Sequence, residues 1–301
     1  MSAATQAPAA APAPPRLAAL RKFARAFAAE RSGMAGLAIL IAVTLLALTA
    51  PLFIHASDLN VINATGPSLA PPTARFPLGT DQAGRSVLVL LIWGTRSSLA
   101  IGIIATVLTM ILGSGIGLIA GHAGGFVSRA LMAVTDWFIA LPSLPLAMSL
   151  AAALGQGDAS ITIAIAVTSW PGTARLIRAQ TLAVEARPFI ERAKALGARD
   201  SQLVARQVLP NVAPFILVSA TLTIASAILS ETTLAFLGLG NPTDVSWGSM
   251  INQAFNQGAI TSAAWWYVLP PGLAILVVVL GFTLVGRAAE NILNPRMTGE
   301  V

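Results

Sequence analysis

Long stretches without a charged residue constrain the fold of this chain more than any other feature. One such stretch lies between Arg31 and Asp58, and another lies between Arg96 and Arg129. Each can form an α-helix long enough to cross the hydrocarbon core of a bilayer, which takes about 20 apolar residues. Only 10% of the residues are charged, against about a quarter in soluble domains. The sequence therefore predicts an all-α integral membrane protein.

Six membrane spans are predicted from the charge-free stretches. The fourth is the shortest, because only residues 159–174 are free of charge before Arg175 and Arg178, whose long side chains can reach the interface. The expected spans are 34–54, 98–120, 131–154, 159–178, 213–236 and 266–287. The expected domains are a disordered, basic tail at 1–33, a membrane domain at 34–290 and a second tail at 291–301.

The distribution of positive charge predicts which side of the membrane each connection faces. Of the 18 basic residues, only the three in the 55–96 segment lie on one side of the six-span arrangement. Lys and Arg are enriched in cytoplasmic loops, so both termini and the 179–212 segment are expected in the cytoplasm. The 55–96 and 237–265 segments are then external.

Several classes of chemistry are excluded by what the sequence lacks. It has no cysteine, and its two histidines, His55 and His122, are far apart, so no metal site is expected. Neither of its lysines, Lys22 and Lys194, is followed by the Ser or Thr of a phosphate loop, so this chain is not expected to hydrolyse ATP. No catalytic Ser/His/Asp set is recognisable. The net charge of +6 is assigned to one membrane face, so nucleic acid is not an expected partner.

Two acidic residues lie within or at the edge of predicted spans. Asp136 is near the start of the third span, and Glu231 is near the end of the fifth. Carboxylates in a membrane are costly and often functional, so both are candidates for a translocation path. Solvation at the membrane interface is the alternative for each. Trp247, in the 237–265 segment, is a third candidate, for the outer gate.

Three glycines repeat every four residues in the second span. Gly113, Gly117 and Gly121 form one smooth stripe along a helix, where another helix can approach closely. Packing within the chain is the simpler interpretation, and packing against a partner subunit is the functional one.

The 179–212 segment is patterned beyond the needs of a connector. Pro188 is typical of a first helical turn, and Phe189, Ala193 and Leu196 fall on one face with charges opposite. Gly197 can end this helix. The segment therefore predicts a short amphipathic helix, suited to a groove on a soluble partner, with a helix on the lipid surface as the alternative.

A second short helix is predicted to follow, so that the segment forms a helix–turn–helix. Asp200 or Ser201 can cap the start of that second helix. Pro210 is expected to close it, because proline has no backbone N–H for the helical ladder.

In this segment the chain resembles the permease subunits of bacterial ABC importers. Their cytoplasmic motif is Glu-Ala-Ala, three residues, Gly, about nine residues and Ile-x-Leu-Pro. Arg192 replaces the second motif residue, and Gln207 occupies the Ile position. The matching positions are Glu191, Ala193, Gly197, Leu209 and Pro210.

Three further motifs resemble the peptide/nickel branch of these permeases, and specifically its second, C-type subunit. Residues 78–86 are similar to Leu-Gly-Thr-Asp-x-x-Gly-Arg-Asp, with Ser86 in place of the last residue. Residues 231–248 resemble the segment after the fifth span, and residues 293–296 resemble Leu-Asp-Pro-Arg with Asn294 for Asp. The external motif residues are Gly79, Asp81, Gly84 and Arg85.

The resemblance implies a machine as well as a fold. The fold is the type I importer bundle in the bacterial inner membrane, and the activity is import of di- or oligopeptides or a related small solute. The implied partners are a second, homologous permease, two ATP-binding subunits or one fused ATPase that binds ATP and Mg, and an external substrate-binding protein. An ion-gradient-driven secondary transporter is the alternative. The residues expected to couple to the ATPase are Arg187, Phe189, Glu191, Ala193, Ala195, Leu196, Gly197 and Asp200.

Overall fold

The computed structural model describes residues 16–293, and this part of the chain is built from α-helices. Its only strand-like pairing is an isolated bridge between Thr80 and Ser86. The prediction of an all-α chain is confirmed. The first 15 residues of the expected N-terminal tail, and residues 294–301 of the C-terminal one, lie outside the described residues.

The helices are numbered in chain order. They are α1 Arg16–Ala29, α2 Arg31–Phe53, α3 Ala56–Leu59, α4 Val87–Ala123, α5 Gly125–Ala140, α6 Ser143–Leu154, α7 Asp158–Glu185, α8 Pro188–Ala195, α9 Asp200–Leu203, α10 Leu209–Phe236, α11 Trp247–Asn256 and α12 Trp265–Leu293.

Between residues 16 and 293, four helices are long and apolar enough to cross a membrane. They are α2, α4, the continuous helix Asp200–Phe236 and α12. A fifth span results if α5 and α6, which meet at 92°, are counted as one broken crossing. The helix α7 is long but carries Arg175 and Arg178 in its second half. The arrangement of six spans with both termini in the cytoplasm therefore stays a prediction.

Two predicted spans differ from the observed helices, each for a local physical reason. The third span is broken rather than straight, because Leu141 and Pro142 are extended between α5 and α6. The second begins at Val87, because Arg96 is accommodated within α4, its guanidinium 4.6 Å from the ring centre of Trp93. A cation over an indole face is favourable, so this charge does not end the helix.

The expected disorder of residues 1–33 is wrong for the part that is described. Residues Arg16–Ala29 form α1, and α2 begins at Arg31. Phe23 and Phe27 stack on one face of α1, while Arg21 and Lys22 are exposed. This amphipathic pattern favours a helix in the basic tail.

The core of the bundle is the contact between α4 and α7, and the glycine stripe makes it close. A Cβ built on Gly113 would lie 2.6 Å from Cβ of Thr173, and one on Gly117 would lie 2.6 Å from the carbonyl oxygen of Ala174. Gly121 faces Thr181 in the same way. The stripe therefore packs within the chain, which is the simpler of its two interpretations.

Two groups of contacts lie at opposite ends of α7, and we call them the outer layer, at its start, and the inner layer, at its end. At its start, the N–H of Gly157 donates to the carbonyl of Leu239, next to the 237–265 segment. At its end, Glu185 accepts a hydrogen bond from Lys194 of α8, within the 179–212 segment. A helix of 28 residues is about 42 Å long, so the two layers are separated by more than a bilayer core.

Candidate functional site

The helix α8 is held to the bundle by one apolar side chain. Ile190 is 0% exposed and belongs to a cluster with Ile177, Val184, Val208 and Val212. Its neighbour Phe189 is 37% exposed. Sequence analysis missed Ile190 as an anchor; the signal was present, since two adjacent apolar residues on a short helix must face different ways.

Most of the other side chains of α8 are exposed to solvent. Leu196 is 88% exposed just after the helix, and Glu191 and Arg192 are exposed along it. Ala193 is half-buried, and Arg187, Ala195 and Asp200 are exposed. A large aliphatic side chain in this position has no packing partner within the chain, so the apolar face predicted for α8 is available to another protein.

A left-handed glycine ends α8 as predicted. Gly197 has φ +80°, its N–H donates to the carbonyl of Lys194 at 3.0 Å, and the N–H of Ala198 donates to that of Ala193 at 3.1 Å. A Cβ on Gly197 would meet nothing within 4 Å. The glycine is therefore needed for backbone conformation rather than for space.

The second short helix of the segment is present, but its N-cap is Arg199 rather than the predicted Asp200 or Ser201, and it does not end at Pro210. A π-helical turn at Val204–Val208 joins α9 to α10, and Pro210 lies in the first turn of α10. The wider π-turn changes the hydrogen-bond register just before the proline, whose missing N–H is tolerated in a first turn. The segment is therefore continuous with a predicted membrane span.

An ionic cluster lies on the bundle side of α8. Nδ1 of His122 is 2.6 Å from Oε1 of Glu185, and Nζ of Lys194 donates to Oε2 of Glu185 at 2.8 Å. Nε2 of His122 is 3.8 Å from a carboxylate oxygen of Asp200. Burial by itself would raise the pKa of Glu185, but the hydrogen bonds from Lys194 and His122 outweigh it and lower that pKa below its usual value.

At the other end of the molecule, the 78–86 motif forms a buried network. Asp81 is 1% exposed and accepts from Nε of Arg85 at 2.7 Å and from its backbone N–H at 2.7 Å. Arg85 also donates to the carbonyl of Leu59 and to Oε1 of Gln253 in α11. The motif therefore ties the 55–96 segment to the 237–265 segment, in agreement with their predicted location on one side.

The two glycines of this motif serve the same network. Gly79 and Gly84 have φ values of +67° and +84°. A Cβ on either would collide with the backbone of the same segment, at Ala70 and Gly66 respectively. Both positions therefore require glycine for conformation and for space.

Of the three residues predicted for a translocation path or outer gate, Glu231 and Trp247 lie together. Glu231 is 0% exposed, its Oε1 has no hydrogen-bond partner, and the hydroxyl of Ser98 lies beside its carboxylate. The backbone N–H of Trp247 donates to the same Ser98 hydroxyl, and its indole donates to the carbonyl of Leu91. Trp247 is 1% exposed, so its side chain cannot present a surface at an outer gate.

Asp136 is in a different region and is already paired. Its carboxylate accepts from Nη2 of Arg175 at 2.7 Å, between α5 and α7, and both side chains are more than half exposed. Arg175 lies 17 residues along α7 from Asp158, which is about 25 Å of helix. A place for Asp136 in the translocation path therefore stays a prediction, with solvation at the membrane interface as the alternative.

No metal site is apparent in the described part of the chain. Within residues 16–293, no three His, Cys, Asp or Glu side chains are grouped as a metal ion would require.

More than half of the chain matches a known protein family. Residues 113–299, which include the 179–212 segment and α10–α12, match the model of the binding-protein-dependent transport system inner membrane component family. The chain belongs to this family. Its members are transport permeases, so the chain is a subunit of a transporter rather than an enzyme, and it resides in the bacterial inner membrane.

Individual relatives agree with the family assignment. The chain is 37% identical over 283 residues to the di/tripeptide transport system permease protein DppC of Pseudomonas aeruginosa, with 92% of each chain covered. It is 34% identical to the oligopeptide transport system permease protein OppC of Bacillus subtilis, with 90% of this chain and 88% of the relative covered. A putative peptide transport system permease of Brucella suis is 36% identical over 280 residues.

A solved structure shows the same fold. A chain of the MetNI methionine ABC transporter, in an inward-facing conformation, is 20% identical and has a TM-score of 0.54, covering 69% of this chain and 96% of that chain. The predicted type I importer bundle is thereby confirmed, and the family match and the relatives confirm the resemblance to ABC importer permeases. A permease of this family works with an ATPase partner that binds ATP, and the secondary-transporter alternative is not supported.

Proposed function

We propose that this chain is one of two permease subunits of an importer for di- or oligopeptides, and that α8 is its coupling helix. The observation that carries the proposal is the exposed Leu196 at the end of a helix otherwise anchored by Ile190. An apolar side chain held out on a rigid helix fits a groove on a partner. In this position of the family's motif, that partner is the ATPase.

Peptide is the proposed substrate class because of the relatives. Three of the relatives are permeases named for di/tripeptide, dipeptide and oligopeptide transport. A glutathione permease is also among the relatives, and glutathione is itself a small peptide. An external binding protein is proposed to supply the substrate and to set its length and sequence preference.

The proposed assembly has one coupling helix for each ATPase subunit. This permease and a second, homologous one form the path, and two ATP-binding subunits, or one fused ATPase, hold ATP and Mg. ATP-driven closure of the ATPase pair would bring the two coupling helices together and reorient the bundle outward. This is alternating access by movement of rigid bodies, and this chain supplies contacts and movement, with no cofactor of its own.

The 237–265 segment is proposed to contribute to the outer mouth that receives the binding protein. Trp247 was the residue predicted there, but it is buried. Phe255 in α11 is 58% exposed in the same segment, so a photocrosslinker at Phe255 tests the proposal, and crosslinks to lipid alone would count against it.

The experiment that tests the coupling assignment is a tagged purification from membranes in mild detergent. We expect a second permease and ATPase subunits to co-purify, with substrate-stimulated ATP hydrolysis. Gly197→Asp should abolish the stimulated hydrolysis, because an aspartate at φ +80° distorts the exit from α8. Gly155→Asp, just before α7, is the matched control, because Gly155 has φ +91° and equally open surroundings but lies outside both the 179–212 segment and the 237–265 segment.

Either of two results would reject the proposal. The first is recovery of the wild-type chain without an ATPase. The second is stimulated hydrolysis that is as high in the Gly197→Asp variant as in the Gly155→Asp control.

A further inference from the structure

Four charged or ionisable side chains from four helices meet beside the coupling helix. His122 is the penultimate residue of α4, Glu185 is the last residue of α7, Lys194 is in α8 and Asp200 begins α9. Glu185 is the shared centre, since its two oxygens bind His122 and Lys194 at 2.6 and 2.8 Å. The side chains of His122 and Glu185 are only 14% and 12% exposed.

We infer that this cluster is a positioning device that fixes the orientation of the coupling helix and passes its movement to α4 and α7. The inference rests on the proposed function of α8. The cluster residues Glu185, His122 and Lys194 are positioning residues, because they contact other parts of this chain rather than substrate or nucleotide.

The apolar anchor cannot do this alone. Ile190 contributes burial, which is favourable but has no preferred direction, so α8 could turn about it. Hydrogen bonds between charged groups are directional and roughly twice as strong as neutral ones. With Lys194 bound to Glu185 four residues after Ile190, the helix is held at two points and its angle is set.

The cluster also joins the right elements. Glu185 is the last residue of α7 and His122 is in the last turn of α4, and these two helices pack closely along the glycine stripe. A push on α8 through Lys194 therefore reaches both helices at their common end. Residues Phe189 and Leu196, which are exposed, remain free for the ATPase.

The test uses the complete importer reconstituted in lipid with its partner subunits and binding protein. Three variants are compared with wild type: Glu185→Gln, Lys194→Gln and Lys194→Arg. For each, ATPase co-purification, basal hydrolysis and substrate transported per ATP hydrolysed are measured. Glu290→Gln, which removes an exposed carboxylate of α12, is the control.

We expect Glu185→Gln and Lys194→Gln to keep the ATPase bound but to lower transport per ATP by about fivefold or more, the lower end of typical coupling between sites. Lys194→Arg should retain wild-type coupling, because arginine keeps the charge and the donor. A Glu185→Gln/Lys194→Gln double variant should be no worse than Glu185→Gln alone, because that single variant already removes the interaction with Lys194.

Unchanged transport per ATP in both Gln variants, with the ATPase bound, would overturn the inference while leaving the proposed function intact. The same holds if Lys194→Arg fails as badly as Lys194→Gln, because a charge-mediated brace requires rescue. If the wild-type chain binds no ATPase, the proposed function fails first, and the inference with it. Lys194 is half exposed, so its variants remain informative even if Glu185→Gln does not fold.

Discussion

The two motifs of this chain, one at each end of the bundle, are built in opposite ways. Asp81 and Arg85 in the 55–96 segment are buried and bonded to each other and to α11. Glu191, Leu196 and Gly197 in the 179–212 segment are exposed and have few partners within the chain. The first motif stabilises the fold, whereas the second is the surface that we propose for the ATPase.

The glycines show the same difference. A side chain on Gly84 would collide with the backbone of Gly66, whereas one on Gly197 would meet nothing. Both have positive φ, so sequence alone cannot separate them. Only the surroundings show that Gly84 is enclosed within the protein and that Gly197 has open space beside it.

The largest effect is expected at the outer motif. Asp81→Ala should destabilise the chain by about 3–5 kcal/mol, because it leaves the largely buried guanidinium of Arg85 without its carboxylate. Thermal unfolding in detergent measures this. Arg75→Gln, at an exposed arginine of the same segment, should change stability by less than about 0.5 kcal/mol. A loss below about 1 kcal/mol for Asp81→Ala would mean that the outer motif is no more structural than the inner one.

The inner motif should separate anchoring from docking. Ile190→Ala should loosen α8 by about 2–5 kcal/mol, since it removes a fully buried side chain. Leu196→Ala should leave the folded state within about 0.5 kcal/mol yet reduce recovery of the ATPase. Hydrogen exchange of residues 188–195 reports the first effect, and co-purification reports the second. Equal exchange in both variants would remove the distinction between the two faces of α8.

Sequence patterns predicted the elements better than their junctions. Pro188 and Gly197 each act locally, so the first short helix and its end could be predicted from them, whereas the predicted cap of the second helix was wrong. The 92° break at α5 and α6 and the π-turn before Pro210 depend on how neighbouring helices satisfy freed backbone groups. The pairing of Glu185 with His122 and Lys194 joins residues 63 and 9 positions apart, and no local pattern signals it.

The contact that links the two ends should respond to added volume. Gly117→Val should cost about 1–3 kcal/mol, because its side chain would overlap the backbone of α7 at Ala174. Gly115→Val lies on the same helix, where a Cβ meets nothing within 4 Å, and should stay within about 0.5 kcal/mol. Thermal unfolding of both variants measures the difference. If Gly117→Val lowers the unfolding free energy no more than Gly115→Val does, the close contact between α4 and α7 is not required. The two ends of the bundle would then not be mechanically linked through it.

The smallest effect is expected from pH at the inner layer. The pKa of Glu185 is lowered in the folded chain from its usual value of 4.5, so its carboxylate stabilises the docked α8 above that pH. This contribution is lost as the pH falls below about 4.5 and through the folded-state pKa.

The chain has no cysteine, so a spin label on Ala195→Cys is unique, and its mobility should rise on acidification below pH 4.5 but stay constant between pH 6 and 8. Adding Glu185→Gln should make the label more mobile at neutral pH and flatten the acid response. A label whose mobility follows the same acid curve with and without Glu185 would show that burial of Ile190, rather than the ionic cluster, holds α8 in place.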